Sequence, residues 1–125
     1  MNISKINNIN FGLKFSDTAE KLFQKSQDYI ADIAIKTRND DIVIQNNLNR
    51  ASIENALGDE YILDAKLHTQ TPTIKEKYTF LIKNTKKKLN KNFFLEYTDM
   101  DNILNGKIWY EIAEYLIKFE DRILR

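Results

Sequence analysis

The segment Tyr61–His68, YILDAKLH, places Tyr61, Leu63, Ala65 and Leu67 on one side of the chain and Ile62, Asp64, Lys66 and His68 on the other. Alternation with period two marks a strand with one buried face. A loop follows, Thr69-Gln70-Thr71-Pro72-Thr73, which holds the only proline. Beyond it Tyr78, Phe80 and Ile82 alternate with Lys77, Thr79 and Leu81. A connection this short cannot carry a crossover helix, so the two runs predict an antiparallel hairpin. That hairpin sets an antiparallel sheet at the centre of the fold.

Downstream, the lysine-rich connection Lys83 to Asn92 leads into Phe93-Phe94-Leu95-Glu96-Tyr97, read as a further strand. Upstream, Ile9, Phe11, Leu13 and Phe15 alternate with Asn10, Gly12 and Lys14 and predict another. Between these lies a change of period. Ala19, Leu22, Phe23, Ser26, Ile30, Ile33 and Ala34 recur at steps of three and four, the pattern of a helix with one apolar stripe. Ser16 or Asp17 is placed to cap it, and Lys36 and Arg38 stand at the end where cations suit the helix dipole.

Asn39-Asp40-Asp41 reads as a turn, and the β-branched run Ile42-Val43-Ile44 after it reads as a short strand. Leu48 to Leu57 suits a short helix ended by Gly58. At the far end Leu104, Ile108, Ile112, Tyr115, Leu116, Phe119 and Ile123 share one stripe, with Asp99 or Asp101 as cap and Gly106 weakening the first turn. The expected fold is α+β: a mostly antiparallel sheet of about four to five strands, with two main helices, about 17–37 and 101–124, on one face. With no internal repeat and no low-complexity linker, residues 1–125 are expected to form one domain.

Composition narrows function by exclusion. The 125 residues are 42% hydrophobic and 30% charged, with a net charge of +1, an ordinary globular balance. Overall charge favours neither a nucleic-acid coat nor an acidic mimic. There is no cysteine, so disulfides, thiolate metal sites and cysteine nucleophiles are excluded, and a reducing compartment is compatible. No apolar run reaches the roughly 20 residues of a membrane span, and Met1 to Phe15 lacks the continuous apolar core of a secretory signal. The expectation is a soluble cytoplasmic protein without a membrane partner. Gly12, Gly58 and Gly106 stand too far apart for a phosphate-cradling loop. His68 is the sole histidine, which rules out imidazole pairs.

Three groups of residues can carry function. The first is Ile62-Leu63-Asp64-Ala65-Lys66-Leu67, where alternate strand positions bring Asp64 and Lys66 to one side. This Asp-x-Lys at an apolar strand resembles the second half-motif of the PD-(D/E)xK nuclease superfamily. The resemblance implies two carboxylates on a divalent cation such as Mg, with a lysine positioning the attacking water. Asp40 or Asp41 would supply the upstream carboxylate and Glu20 a third ligand. The match covers three positions, and no proline or glycine precedes the upstream aspartate.

The second group is Lys83, Lys86, Lys87, Lys88 and Lys91, followed by Phe93 and Phe94. Such a connection can neutralise phosphates and offer rings to bases, in a sequence-tolerant nucleic-acid binder. The spacing of Phe93 and Phe94 suits a core, however, which favours reading the connection as the solvated loop of a lysine-rich chain. The third group is Trp109 and Tyr110, which fall beside the main stripe of the last helix. Either the stripe is wide and Trp109 packs on the sheet, or these rings form a second face for a partner. The leading expectation is a non-catalytic interaction module that binds a protein partner or a second copy of itself, with no cofactor. It would act through the Trp109–Tyr110 face or an open sheet edge.

Overall fold

A computed structural model describes residues 12–69, 72, 76–86 and 95–123. The element order is β1 (Lys14–Phe15), α1 (Asp17–Thr37), α2 (Asp41–Asn55), β2 (Tyr61–Thr69), β3 (Lys77–Asn84), β4 (Leu95–Asp99), α3 (Met100–Leu104) and α4 (Lys107–Ile123). The fold is α+β, and its sheet is mostly antiparallel, as the alternation predicts.

The four strands lie in the order β1-β2-β3-β4. The β2–β3 hairpin pairs Leu63 with Ile82 and Ala65 with Phe80, so these core residues of the two strands point to the same side. β4 adds antiparallel to β3. β1 runs parallel to β2, with Lys14 opposite Ile62 and Phe15 opposite Leu63; the α1–α2 pair supplies the crossover a parallel neighbour needs. The inward face carries Leu63, Ala65, Tyr78, Phe80 and Ile82 into one core with Leu22 and Phe23 of α1, Ile53 of α2 and Ile108, Trp109, Ile112 and Leu116 of α4. The expected strand at residues 9–15 is seen as Lys14–Phe15, and Ile9 and Phe11 lie outside the described residues.

α1 begins where expected, with Ser16 as its cap: the hydroxyl accepts from the Ala19 amide at 3.2 Å. It ends at Arg38, which takes the left-handed conformation (φ 55°) normally given to glycine.

Two expectations are corrected here. Ile42-Val43-Ile44 is not a strand but the first turn of α2, which continues to Asn55. The preceding turn is real: Asn39 Oδ1 accepts from the Asp41 amide, and the amides of Val43 and Ile44 both donate to the Asp40 carbonyl. Packing against α1 and α4 overrides the local β preference of three branched residues. The terminal helix is also broken. α3 ends at Leu104 and α4 starts at Lys107, because Gly106 sits at φ 83°, which no helix accommodates. Asp99 caps α3 through the Asn102 amide, and Asn105 Oδ1 accepts from the Lys107 amide to start α4.

Candidate functional site

Asp64 and Lys66 share the face of β2 turned away from the helices, as their spacing requires, but they do not build a metal centre. The Lys83 ammonium reaches Asp64 Oδ2 at 3.1 Å from the diagonal position on β3, and the Ala65 amide donates to Oδ1 at 2.8 Å. The Ser16 hydroxyl also bonds the carboxylate. Burial works to raise the Asp64 carboxyl, but these three donors outweigh it and hold it below the ordinary carboxylate value. Asp64 therefore ties β2 to β3 and to the start of α1, where the Ser16 amide also donates to the Leu63 carbonyl at 2.8 Å.

Asp40 and Asp41 stand beyond the other end of α1, roughly 30 Å away by the helix rise over its 21 residues. Glu20 is held by Arg50 through two contacts of 2.8 and 2.6 Å. Among the described residues no group of three carboxylate or histidine side chains can hold a metal ion. Asp64, Lys66 and Asp41 are thus not brought together, and Lys66 stands exposed. His68, also exposed, meets the Tyr97 ring edge-on at 5.0 Å, and the Lys77 ammonium lies 5.0 Å from the same ring.

Of the lysine group, Lys83 is engaged by Asp64, Lys86 is exposed, and Lys87, Lys88 and Lys91 lie outside the described residues. The Trp109–Tyr110 face is corrected. Trp109 is fully buried, with ring centroids of Phe23, Phe80 and Phe15 at 5.2, 5.5 and 6.1 Å. Only Tyr110 faces outward. The stripe of α4 is wide, taking in Ile108, Trp109, Ile112, Ala113 and Leu116, and the tryptophan belongs to it.

The surface that stands out lies on α2, which buries two amides beside Ile53 and leaves large apolar side chains outside. Its inward residues include Asn46 and Asn49, both buried. Its outward face carries Ile44 and Leu48, each 55% exposed, and Ala51, also exposed. These are positions i, i+4 and i+7 of one helical face. From Ile42 to Asn55 the only charged residues are Arg50 and Glu54, and they are paired with each other at 2.7 Å. The outward face beyond the first residue, Ile44, Gln45, Asn47, Leu48, Ala51, Ser52 and Asn55, is therefore uncharged on a chain that is 30% charged, and Asp41 at its N-terminal end is the one charge on that face.

The sequence held a signal for this surface. Ile44, Leu48 and Ala51 recur at helical spacing once Asp41 to Asn55 is one helix, and reading Ile42–Ile44 as a strand hides it. The chain matches no family model, no curated protein and no solved structure.

Proposed function

We propose that this protein is a self-associating interaction module, in which α2 of one copy packs its outward face against α2 of a second. One observation carries the reading: a surface helix with amides inside and an uncharged Ile44–Leu48–Ala51 stripe outside. In a two-fold contact the same patch meets itself, so any net charge on it would face its own image. The Ile44–Leu48–Ala51 stripe carries none, an antiparallel crossing sets the Asp41 side chains of the two copies at opposite ends, and neighbouring amides of Gln45, Asn47 and Asn55 can form a polar rim. α2 is about 22 Å long, which places the contact at the small end of stable interfaces and its affinity in the micromolar range. A chain without cysteine suits the cytoplasm, where we place this role.

Sedimentation at concentrations near 100 μM tests the proposal, since a contact of this size still associates there. The expected result is a dimer that Ile44→Glu or Leu48→Glu converts to monomer with unchanged circular dichroism. A wild-type monomer at that concentration, or variants that still dimerise, would overturn it.

A second reading, sequence-tolerant nucleic-acid binding, rests on the sheet face turned away from the helices. There Tyr97 is exposed beside His68 and Lys77, and the register sets Lys66, Thr79 and Tyr97 in one row. An exposed ring with the Lys77 ammonium against it suits base stacking. Titration of a labelled single strand at low salt decides it: binding should weaken with salt and with Tyr97→Ala, and the absence of any binding removes the reading.

A further inference from the structure

α2 is held differently from the helices beside it. α1 buries Ala19, Leu22, Phe23, Ile30 and Ala34, and α4 buries Ile108, Trp109, Ile112, Ala113 and Leu116. α2 buries one apolar side chain, Ile53, together with the amides of Asn46 and Asn49, and its Ile42 and Val43 are half-buried. Polar contacts complete its seat. Asn46 Nδ2 donates to Gln27 Oε1 at 2.7 Å, Gln27 Nε2 donates to Asn47 Oδ1 at 2.6 Å, and Arg50 grips Glu20. Such contacts exchange for water when a helix leaves its seat, so each holds less than a buried apolar side chain. Asn46 Oδ1, buried without a donor, weakens the seat further.

The backbone on both flanks gives a second, independent observation. Arg38 before α2 has φ 55° and Leu57 after it has φ 56°. Left-handed backbone is costly for residues with a side chain and persists only where the surrounding structure imposes it. Both residues can relax when α2 departs. The helix also has weak signals of its own. Asp40 makes no side-chain cap, no cation stands in the last turn, and Ile42 to Ile44 prefer strands. A segment of 15 residues with these signals does not stay helical off its seat.

We propose that α2 is a lid hinged at Arg38 and Leu57, which leaves α1 and α4 and unravels as one unit while the rest of the fold stays formed. Arg50 is its latch. In the closed state the guanidinium lies 4.2 and 4.7 Å from the Phe15 and Phe23 rings, which pack on Trp109. Opening draws it away and uncovers that aromatic surface. The device goes beyond self-association, which needs α2 only in its closed position.

Native-state hydrogen exchange of the full chain, read by mass spectrometry below the micromolar concentrations at which copies would associate, tests the lid. Corrected for intrinsic rates, peptides from 42–55 are expected to exchange together, at least about a hundredfold faster than those of α1 and β3. Gln27→Cys with Asn47→Cys, joined by a short thiol cross-linker in a chain that has no other cysteine, ties α2 to α1. The cross-link should slow 42–55 by at least about tenfold, toward the rate of β3. Exchange of 42–55 at the rate of β3 in the unmodified chain, or faster exchange that the cross-link leaves unchanged, would overturn the proposal.

Discussion

The guanidinium of Arg50 stands 4.2 Å from the centroid of the Phe15 ring while its Nη1 and Nη2 hold both carboxylate oxygens of Glu20. The same group lies 4.7 Å from the Phe23 ring and gives Nε to Glu54. One side chain thus joins α2 to the start of α1 and covers the aromatic edge of the core. Burial works against its charge, but the two glutamates outweigh burial and hold the guanidinium firmly protonated.

Arg50→Lys should therefore not behave as a conservative change. An ammonium cannot serve both glutamates in a fork or stack flat on a ring. The expected loss is about 1–2 kcal/mol of folding stability, with Arg50→Ala losing more because the stem also leaves the rings. Urea unfolding at neutral pH measures both, and a lysine variant as stable as wild type would refute the account.

Asp64 makes a prediction in pH. Its carboxyl is held below the ordinary value of 3.8, so the unfolded chain binds its proton more readily than the folded one. The stability it contributes is complete above the unfolded value and is lost as pH falls through the folded value. Asp64→Asn removes the charge that Lys83 and Ser16 answer, and should cost about 1–2 kcal/mol at pH 7. The gap between the two proteins should narrow as the pH falls below 3.8 and close once the folded-state carboxyl is protonated, where both side chains are neutral. Parallel urea titrations across that range check it; a gap independent of pH would mean that the ion pair contributes nothing.

How much of this was legible follows from where local pattern and packing agree. β2 and β3 could be read because a one-faced sheet forces Leu63, Ala65, Phe80 and Ile82 to one side, alternating with the half-buried or exposed Ile62, Asp64, Lys66, Thr79 and Lys83; only Leu81, also buried, breaks the pattern among these. α1 could be read because its stripe and its Ser16 cap obey the same period as the helix. α2 could not, for two physical reasons. Ile42, Val43 and Ile44 individually favour strands, and Asn46 and Asn49 occupy the side where apolar residues would have announced a helix. The same placement of Asn46 and Asn49 hid the candidate surface. The face of Trp109 was open in the sequence because a helix of unknown neighbours has no fixed stripe width; three phenylalanines around it decide the matter. Asp64 and Lys66 kept their shared face, but spacing along one strand says nothing of which donors claim a carboxylate.

At the end of α1 the backbone itself is under strain. Arg38 holds φ at 55°, and its amide donates to the Ala34 carbonyl. A left-handed conformation costs a residue with a side chain about 1 kcal/mol, and glycine bears none of it. Arg38 is exposed, so little contact is lost on truncation. Arg38→Gly should raise stability by about 1 kcal/mol, less the extra freedom it gives the unfolded chain. Differential scanning calorimetry would register this as a Tm higher by a few degrees, and a lower Tm would show that the arginine side chain contributes more than the strain removes.

Gly106 makes the opposite case, because there the special conformation and a close neighbour act together. Its φ of 83° disfavours any side chain, and an added Cβ would lie 2.6 Å from Asn46 Oδ1 and 3.2 Å from Ile30 Cδ1. Asn46 cannot simply swing aside, since its Nδ2 is tied to Gln27 and Ser26 in a buried position. Gly106→Ala should cost about 2–4 kcal/mol, combining backbone strain with overpacking. The two parts separate in a double-mutant cycle with Asn46→Ala, which removes the obstructing oxygen. In that background Gly106→Ala should cost only the backbone share, about 1–2 kcal/mol, leaving a coupling of about 1 kcal/mol or more between the two sites. Additive losses would place the whole cost in the backbone and deny that Gly106 is needed to make room for Asn46.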